Sequence, residues 1–299
     1  MRKQTIHYLA FSLVSIMSYG QEIFTTTDIK DFVALDYKII PNSKDIQLED
    51  KTVTVAFSSL LDKSAVGFGL NYTHNSIDFK DHSLYNDFSA FEELHIVQLY
   101  ADYKQPLKQN WDLNVAFAPY ISSTLNENIS SDDLVLSYAV NFVKNWEKNG
   151  LKSYLKLGAG YGALFGAPNF YPLVSYSSQV NEKFRYEIGI PVTGAYYNFN
   201  DKSSMHIKAE PESIYANNAS AFFLNNKDVL YNSKLEFKAV KLSLGYSFHL
   251  DSNWATYFNV GYLTNSELSV NNNDNKIYDF GSDEALTLNV GLRFNLNKK

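Results

Sequence analysis

The chain has 299 residues, a formal net charge of -6 and no cysteine. The lack of cysteine excludes disulfides, zinc–thiolate sites and thiol nucleophiles. The modest negative charge, without a long basic run, argues against nucleic acid as a partner. Tyrosine (22) and phenylalanine (21) are abundant, whereas proline (7) is scarce. The mean hydropathy of -0.25 is expected of strands that each carry one polar face.

The first residues have the pattern of an export signal. Two positive charges precede a short apolar run, Tyr8–Met17, and small residues then favour cleavage between Gly20 and Gln21. This pattern predicts a Sec signal peptide over residues 1–20, followed by a periplasmic lead-in over residues 21–30. No later apolar run reaches the roughly 18 residues of a membrane-spanning helix. Export without such a helix leaves a secreted protein, a periplasmic protein or an outer-membrane β-barrel.

Apolar and polar residues alternate along most of the remaining chain, which is the side-chain period of a β-strand. The alternation divides into about fourteen runs: 31–40, 52–60, 66–74, 95–105, 111–120, 134–142, 151–163, 165–180, 184–190, 195–199, 205–209, 235–248, 254–262 and 285–299. Several of them approach the roughly 9–11 residues that a tilted strand needs to cross a bilayer. Residues 31–299 are therefore predicted to form one all-β domain, a transmembrane antiparallel up-and-down β-barrel.

The last run has the cleanest alternation. Apolar residues occupy every even position from Leu286 to Leu296, and polar or small residues occupy the odd positions between them. A strand of a soluble sandwich also alternates, but it seldom keeps the pattern over such a length. This run is predicted to be the strand that closes the barrel.

The connections give a separate indication of the strand number. Short turns after even-numbered runs lie near Asp62, Pro106, Glu147, Asn181, Asn200 and Asp251, and longer loops after odd-numbered runs lie near Lys80, Asn126, Asn218 and Asn272. Outer-membrane barrels have short periplasmic turns, longer outer loops and an even strand number, which favours fourteen strands. Twelve strands remain an alternative, because Ile40–Lys51 and the run ending at Pro191 are weak hairpins.

Charged residues of the predicted strands lie in the polar phase. A lysine or arginine facing lipid at the bilayer midplane would cost about 2–4 kcal/mol, so this phase is assigned to the barrel lumen. The candidate lumen-facing residues are Lys156, Arg185, Glu187, His206, Lys208, Glu210 and Arg293. In one run, 235–248, the apolar phase changes from odd to even positions, which predicts a β-bulge at Ala239–Val240.

Aromatic residues lie beside the predicted periplasmic turns. Trp111, Trp146 and Trp254 each adjoin such a turn, and Phe294 lies near the same end of the closing strand. Rings at this depth are half in lipid and half in water. These four residues are therefore predicted to belong to an aromatic girdle.

Two resemblances agree with this interpretation. The tyrosine-rich alternating strands and the closing strand GLRFNL resemble the outer-membrane β-barrel superfamily of Gram-negative bacteria, whose terminal strand directs the chain to the barrel assembly machinery. The segments GYGALFGAPNFYPLVSYS and NEKFRYEIGIP, within about Gly158 to Pro191, are similar to an uncharacterised barrel family, a domain of unknown function. The resemblance implies location and fold, and it implies no substrate or catalytic residues.

Few residue patterns point to chemistry. Ser247 and His249 share the polar phase, but they lie at the predicted periplasmic end, so a polar pair in the lumen is the simpler interpretation. The glycines at 158, 160 and 162 are not followed by a helix, so they are predicted to leave lumen space rather than to bind phosphate. Weak calcium binding by acidic outer loops such as Asp132–Asp133 is an alternative to a solvated loop. No metal or cofactor is expected.

These patterns favour a non-enzymatic, porin-like barrel of the bacterial outer membrane that transports or binds a small solute. One alternative is a surface-binding or structural barrel that acts through its asparagine-rich loops, such as Asn217–Asn226. Another is a lipid-modifying enzyme that uses Ser247 and His249. The expected partners are outer-membrane lipid and the barrel assembly machinery, besides the solute.

Overall fold

The computed structural model describes residues 32–43, 46–61, 63–79, 87–224, 228–273, 275–281 and 283–296. The predicted signal peptide and lead-in lie outside the described residues. Within the described part of the chain, no helix has the length and apolar character needed to cross a membrane.

Almost all of the described chain is extended. The strands are β1 Phe32–Ser43, β2 Ile46–Leu60, β3 Ala65–Asp78, β4 Glu93–Pro106, β5 Trp111–Phe117, β6 Tyr120–Ser123, β7 Leu134–Val135, β8 Tyr138–Lys148, β9 Leu151–Gly162, β10 Asn169–Gln179, β11 Phe184–Ile190, β12 Thr193–Asn200, β13 Ser203–Asn218, β14 Phe222–Leu224, β15 Asp228–Leu230, β16 Ser233–His249, β17 Trp254–Asn272, β18 Asn275–Asp279 and β19 Ala285–Asn295. Short 3-10 turns lie at Ser89–Phe91, Lys108–Asn110 and Ser131–Asp133.

Antiparallel pairing closes these strands into a barrel, because the last strand, β19, pairs with the first, β1. β5 and β6 form one barrel strand and β7 and β8 form the next, since each pair keeps the same register on both sides of its break. The break between β5 and β6 contains Pro119, which has no N–H to donate. The barrel therefore has 14 strands. The predicted fold is confirmed, and the alternative of twelve strands is wrong.

The outer surface of the barrel is apolar. On β19, Leu288 and Val290 are 40% and 48% exposed, whereas Thr287 and Asn289, which face the interior, are 3% and 8% exposed. Single exposed apolar side chains are ordinary on a water-soluble protein, but a large contiguous apolar surface is not. The same exposed apolar side chains recur on the neighbouring strands, so the barrel presents a continuous apolar surface to a bilayer.

β16 corrects the prediction of a β-bulge at Ala239–Val240. Its pairing with β13 runs without a shift along the whole strand, and its odd-numbered side chains face the interior throughout. The register does shift between β16 and β17 at this level. The extra residue, however, belongs to β17, where Asn265 has a φ of 51°.

The apolar phase of β16 changes because its surroundings change. In the outer part of the strand, the end with the long loops, Leu235 and Phe237 are buried inside the barrel. Nearer the other end, Leu242 and Leu244 point outward and are exposed. The interior is therefore apolar at the outer end and polar below it. Leucine faces the interior in the outer part of β16 and faces lipid in the lower part.

The hairpin formed by β11 and β12 is short. The two strands have 7 and 8 residues, fewer than the roughly 9–11 of a crossing strand. Their pairing with the neighbouring strands ends at Val174 of β10 and Ala209 of β13. The outer parts of β10 and β13 continue beyond the hairpin, and no described strand lies between them there.

The outer part of β13 stays paired with β16 and also contacts β6 on its other side. Nearly every side chain of Glu212–Asn218 is buried, whichever way it points. Asn217 pairs in parallel with Ser123 of β6, and the Thr124 amide donates to the Asn217 carbonyl at 3.0 Å. β6 and β13 are not consecutive strands of the barrel, so this contact joins two separate parts of its wall. The predicted run 205–209 is too short, because β13 extends to Asn218.

Candidate functional site in the barrel interior

The outer end of the interior is filled by the outer apolar cluster. Its wall residues, on β1, β2, β3, β4, β13, β16, β17 and β19, are Ile40, Ile46, Leu48, Ile77, Leu94, Ile214, Ala216, Leu235, Phe237, Ala239, Leu263, Leu268, Val270 and Ala285. Its loop residues are the phenylalanines Phe79, Phe88, Phe91, Phe222 and Phe280. Walls therefore supply mainly aliphatic groups, and the outer loops supply rings.

Charged side chains form a second layer, the charged belt, directly below this cluster. Its members are Lys38, Asp50, His206, Lys208, Glu210, Glu212 and Lys241. On four strands the change from apolar to charged occurs between adjacent inward positions: Ile40 to Lys38, Leu48 to Asp50, Ile214 to Glu212 and Ala239 to Lys241. The boundary between the two layers is therefore sharp.

The lysines and carboxylates of the charged belt are matched in number and in position. Lys38 Nζ lies 2.5 Å from Asp50 Oδ2 and also contacts Glu212. Lys241 Nζ lies 2.7 Å from Glu212 Oε2 and 3.1 Å from Glu210 Oε1. Lys208 Nζ lies 3.9 Å from Glu210 Oε2. Because buried charges lose their water, each needs such a partner.

Narrow polar spaces adjoin the charged belt on both sides of β1. One is lined by His206, Lys208, Glu210, Lys241, Asn259 and Asn289. The other is lined by Lys38, Asp50, Asn75, Gln98, Tyr120 and Glu212. The side chains of the charged belt therefore narrow the interior, and the spaces beside them have polar linings.

A separate charged group lies on β9 and β11. Arg185 Nη1 is 3.6 Å from Glu187 Oε2, and the Arg185 guanidinium lies 3.9 Å from the centre of the Tyr196 ring. Lys156 is buried on β9, which is separated from β11 by β10. Such stacking on an aromatic face holds the guanidinium plane in one orientation.

Arg293 lies apart from both groups. Its guanidinium is 3.7 Å from the centre of the Phe32 ring, and its Nε donates to Asn295 Oδ1 at 2.9 Å. The seven candidate residues thus fall into three places: the charged belt (His206, Lys208, Glu210), the β9–β11 group (Lys156, Arg185, Glu187) and Arg293. Whether any of them acts on a solute stays a prediction.

The sequence did not single out three members of the charged belt: Lys38, Asp50 and Lys241. Glu212 follows His206, Lys208 and Glu210 in the same lumen-facing phase. Lys38 and Lys241 lie between apolar neighbours in the polar phase, and this is the pattern by which they could have been found. No local pattern indicates that Lys38 contacts Glu212, because the curvature of the barrel brings β1 and β13 together across β16, β17 and β19.

The four predicted girdle residues have different surroundings. Trp254 and Phe294 contact each other, with ring centres 4.7 Å apart. Trp146 packs on Tyr176 at 5.9 Å, and Lys144 Nζ lies 5.6 Å from the Trp111 ring. Their place at a membrane interface stays a prediction.

Asp133 ties the β6–β7 loop to β13. Its Oδ1 accepts a hydrogen bond from Asn217 Nδ2 at 2.8 Å, and its Oδ2 accepts one from the Ser130 amide at 2.7 Å. Burial alone would raise the pKa of this carboxyl, but hydrogen bonds from Ser123, Asn217 and Ser130 hold it below its usual range. Among the described residues, no group of three His, Asp or Glu side chains is arranged to hold a metal ion.

Ser247 and His249 are not joined in the structure. Ser247 is buried and its Oγ has no hydrogen-bond partner among the described residues. The His249 amide donates to the Lys202 carbonyl at 2.7 Å, which ties the end of β16 to the turn before β13. A nucleophile requires an adjacent base, and this arrangement does not provide one to Ser247.

The family model described as "Domain of unknown function (DUF6268)" matches residues 42–297. The chain belongs to this family. The resemblance of the sequence to an uncharacterised outer-membrane barrel family is thereby confirmed. No match was found among curated proteins.

Solved structures of several outer-membrane proteins are similar to this chain at low identity. The COG4313 outer membrane channel from Pseudomonas putida F1 is 11% identical, with 93% of this chain and 100% of that chain covered and a TM-score of 0.47. LpxR from Salmonella typhimurium is 7% identical, with 89% and 100% covered and a TM-score of 0.40. The Pseudomonas putida toluene transporter TodX is 10% identical, with 91% and 90% covered and a TM-score of 0.37. No ligand or activity is carried over from them.

Proposed function

We propose that this protein is a non-enzymatic outer-membrane barrel that binds small molecules and passes them through a gated interior. The observation that carries the proposal is the charged belt. Glu212 of β13 holds Lys38 of β1 and Lys241 of β16 at the same time. β1 is not a neighbour of β13 in the sheet, so this ion pair spans the interior.

An obstruction of this kind suits a gate. It consists of long, flexible lysine side chains and carboxylates, and the loop-borne phenyl rings of the outer apolar cluster lie above it. Breaking one buried ion pair costs about 3–5 kcal/mol, which permits a minor open population at equilibrium. Below the belt, the polar inner face carries Asn, Ser and charged groups along which a hydrated solute can move.

Location and partners are part of the same proposal. Export would proceed by Sec with cleavage between Gly20 and Gln21, and insertion by the barrel assembly machinery into outer-membrane lipid. The signal-peptide pattern and the amphipathic closing strand support this route. The exposed apolar outer surface supports residence in a bilayer.

Conductance of the full-length refolded protein in planar bilayers tests the gate. Glu212→Gln removes the charge shared by two lysines, so the closed state loses stability. We expect the open probability to rise about tenfold or more, since each factor of ten requires only about 1.4 kcal/mol.

The matched control is Glu267→Gln. Glu267 also pairs with two lysines, Lys238 at 3.0 Å and Lys276, but it lies on the outer extension of β17 and outside the charged belt. It should leave conductance unchanged. If both variants and the parent stay closed, and vesicles containing them take up no solute, gated passage is refuted and the outer loops become the working surface.

A further inference from the structure

Water fills the mouth of an open porin, so an apolar cluster at this position requires an explanation. The phenyl rings at its centre come from three outer connections. Phe88 lies 4.8 Å from Phe280 and 5.6 Å from Phe222, measured between ring centres. Phe79 stacks on Phe280 at 5.2 Å. The rings therefore pack on each other as well as on the aliphatic walls.

A narrow space remains between these rings and the wall. It is lined by Ile40, Ile46, Leu48, Phe237, Leu268 and Phe280. Ser43, Ser266 and Gly281 complete the lining, so no charged side chain of the described residues borders it. On β1, the next inward residue below Ile40 is Lys38 of the charged belt. The space thus has an apolar lining and lies one inward position above the charged belt.

This lining decides what class of molecule is stabilised there. An ion or a sugar would lose its water and find few groups to replace the lost hydrogen bonds. An uncharged aromatic molecule would lose no such bonds, and it could take over the ring–ring contacts that Phe79, Phe88 and Phe280 now make with each other. The walls already accommodate phenyl groups, which are supplied by the chain itself.

We infer that the outer apolar cluster is a binding site for a small uncharged aromatic or aliphatic molecule, which takes the place of the loop-borne phenyl rings. The inference rests on the proposed function and names the class of molecule that the barrel would admit. A molecule bound there lies directly above the charged belt. It remains bound there until the ion pairs of the charged belt break.

The absence of cysteine from the chain allows a direct test with single-cysteine variants in lipid vesicles. Leu268→Cys places a thiol in the cluster, and Ile129→Cys places one on an exposed part of an outer loop. Each is treated with benzyl methanethiosulfonate, which is uncharged, and with 2-sulfonatoethyl methanethiosulfonate, which is charged. We expect the benzyl reagent to modify Leu268→Cys at least about tenfold faster than the charged one, after normalisation to Ile129→Cys.

Competition separates binding from simple access. Indole, a small uncharged aromatic probe, should slow modification of Leu268→Cys severalfold and leave Ile129→Cys unaffected. A lipid-facing thiol, Leu242→Cys, reports partition of the reagents into the bilayer and should show no protection. If Leu268→Cys does not give a heat-modifiable barrel, Leu48→Cys on the opposite side of the space replaces it.

Three results would overturn the inference. Equal rates with both reagents would mean that the mouth of the barrel is filled with water. No reaction with either reagent would mean that the cluster is a sealed plug. Modification that indole does not slow would mean that the cluster does not bind indole. Each of these leaves the proposed function standing if Glu212→Gln raises conductance. Conversely, selective and protected labelling without any conductance would retain the binding site and refute passage.

Discussion

Single residues set the boundary between the two layers of the interior. On β1, Ile40 belongs to the outer apolar cluster, and Lys38, the next inward residue, belongs to the charged belt. The period of two in a strand makes this change abrupt. Exchanging an apolar for a charged residue at such a position would therefore shift the boundary by one inward position along the strand.

Glycines act at the same scale by making room for large rings. A Cβ on Gly160 would lie 2.5 Å from the Tyr171 ring, and a Cβ on Gly291 would lie 2.1 Å from Tyr257 Cζ. The interpretation that the glycines leave lumen space therefore needs a correction for Gly160, because a tyrosine occupies that space. Overlaps of this size force the ring or the strand to move.

Asp133 leads to a prediction about pH. Its folded-state pKa is lowered by hydrogen bonds, so its contribution to stability is present above the ordinary aspartate pKa of about 3.9 and is lost as pH falls through the lowered value. Asp133→Asn should reduce the free energy of unfolding by about 1.5–3 kcal/mol near pH 7, the range for hydrogen bonds to a charged group. Urea unfolding of the vesicle-inserted barrel measures the difference.

The pH dependence distinguishes this contribution from a packing effect. The difference in unfolding free energy between Asp133→Asn and the parent should disappear as the pH falls through the lowered pKa of Asp133. Asp132→Asn is the control, because Asp132 is exposed and its main-chain carbonyl, which Lys234 contacts, is retained. A gap that is constant with pH would contradict the assignment.

A single strand of this barrel passes through two different environments. β16 keeps one inward face from Ser233 to Ser247, yet that face is apolar in its outer part and polar below. The opposite face is exposed where Leu242 and Leu244 meet lipid. An amphipathic pattern describes a strand only while its surroundings stay the same.

Spin labels can verify the faces of β16. Labels are attached to cysteines that replace Leu235 and Leu242 one at a time in lipid vesicles. The label at Leu242 should be accessible to oxygen dissolved in the bilayer, and the label at Leu235 should be protected severalfold, because it lies inside the barrel. With a bulge at Ala239–Val240, both labels would face lipid and show equal accessibility, and this result would contradict the unbroken register.

At the scale of the whole molecule, closure depends on the pairing of both ends of the barrel. β19 pairs with β17 on one side and with β1 on the other. Without it, two strand edges would face hydrocarbon, and each unsatisfied N–H or C=O there costs several kcal/mol. The closing strand therefore stabilises every other strand.

Deletion of residues 285–299 tests closure. We expect the truncated chain to lose the difference in gel mobility between boiled and unboiled samples, because no closed barrel forms. The control is deletion of residues 297–299 only, which lie outside the described residues. A truncated chain that keeps the heat-modifiable band would show that another strand replaces β19.

Much of the architecture was predictable from the sequence. The strict alternation of β19 placed its leucines outside and its polar residues inside, because lipid penalises charge on one face only. The parity of short turns and long loops indicated fourteen strands. In the candidate site, His206, Lys208 and Glu210 were found for the same reason, since they share one face of β13.

Other features depended on contacts between distant parts of the chain. The ion pair joins Lys38 and Glu212, which are 174 positions apart in the chain. The pairing of Ser123 with Asn217 joins β6 and β13, which are not consecutive strands. Local periodicity carries no information about which inward residues meet. For the same reason, the alternation alone predicts that the apolar residues at the outer end of β16 face lipid. In the structure they face the outer apolar cluster.

The alternation along the chain indicates a transmembrane β-barrel, the number of its strands and the phase that avoids lipid, because these depend on a period of two and on the thickness of a bilayer. What fills the barrel depends on contacts between distant strands and loops. Curvature of the sheet brings inward residues of β1 and β13 into contact, and the outer loops pack on the walls. The charged belt, on which the proposed function rests, therefore lies beneath the outer apolar cluster.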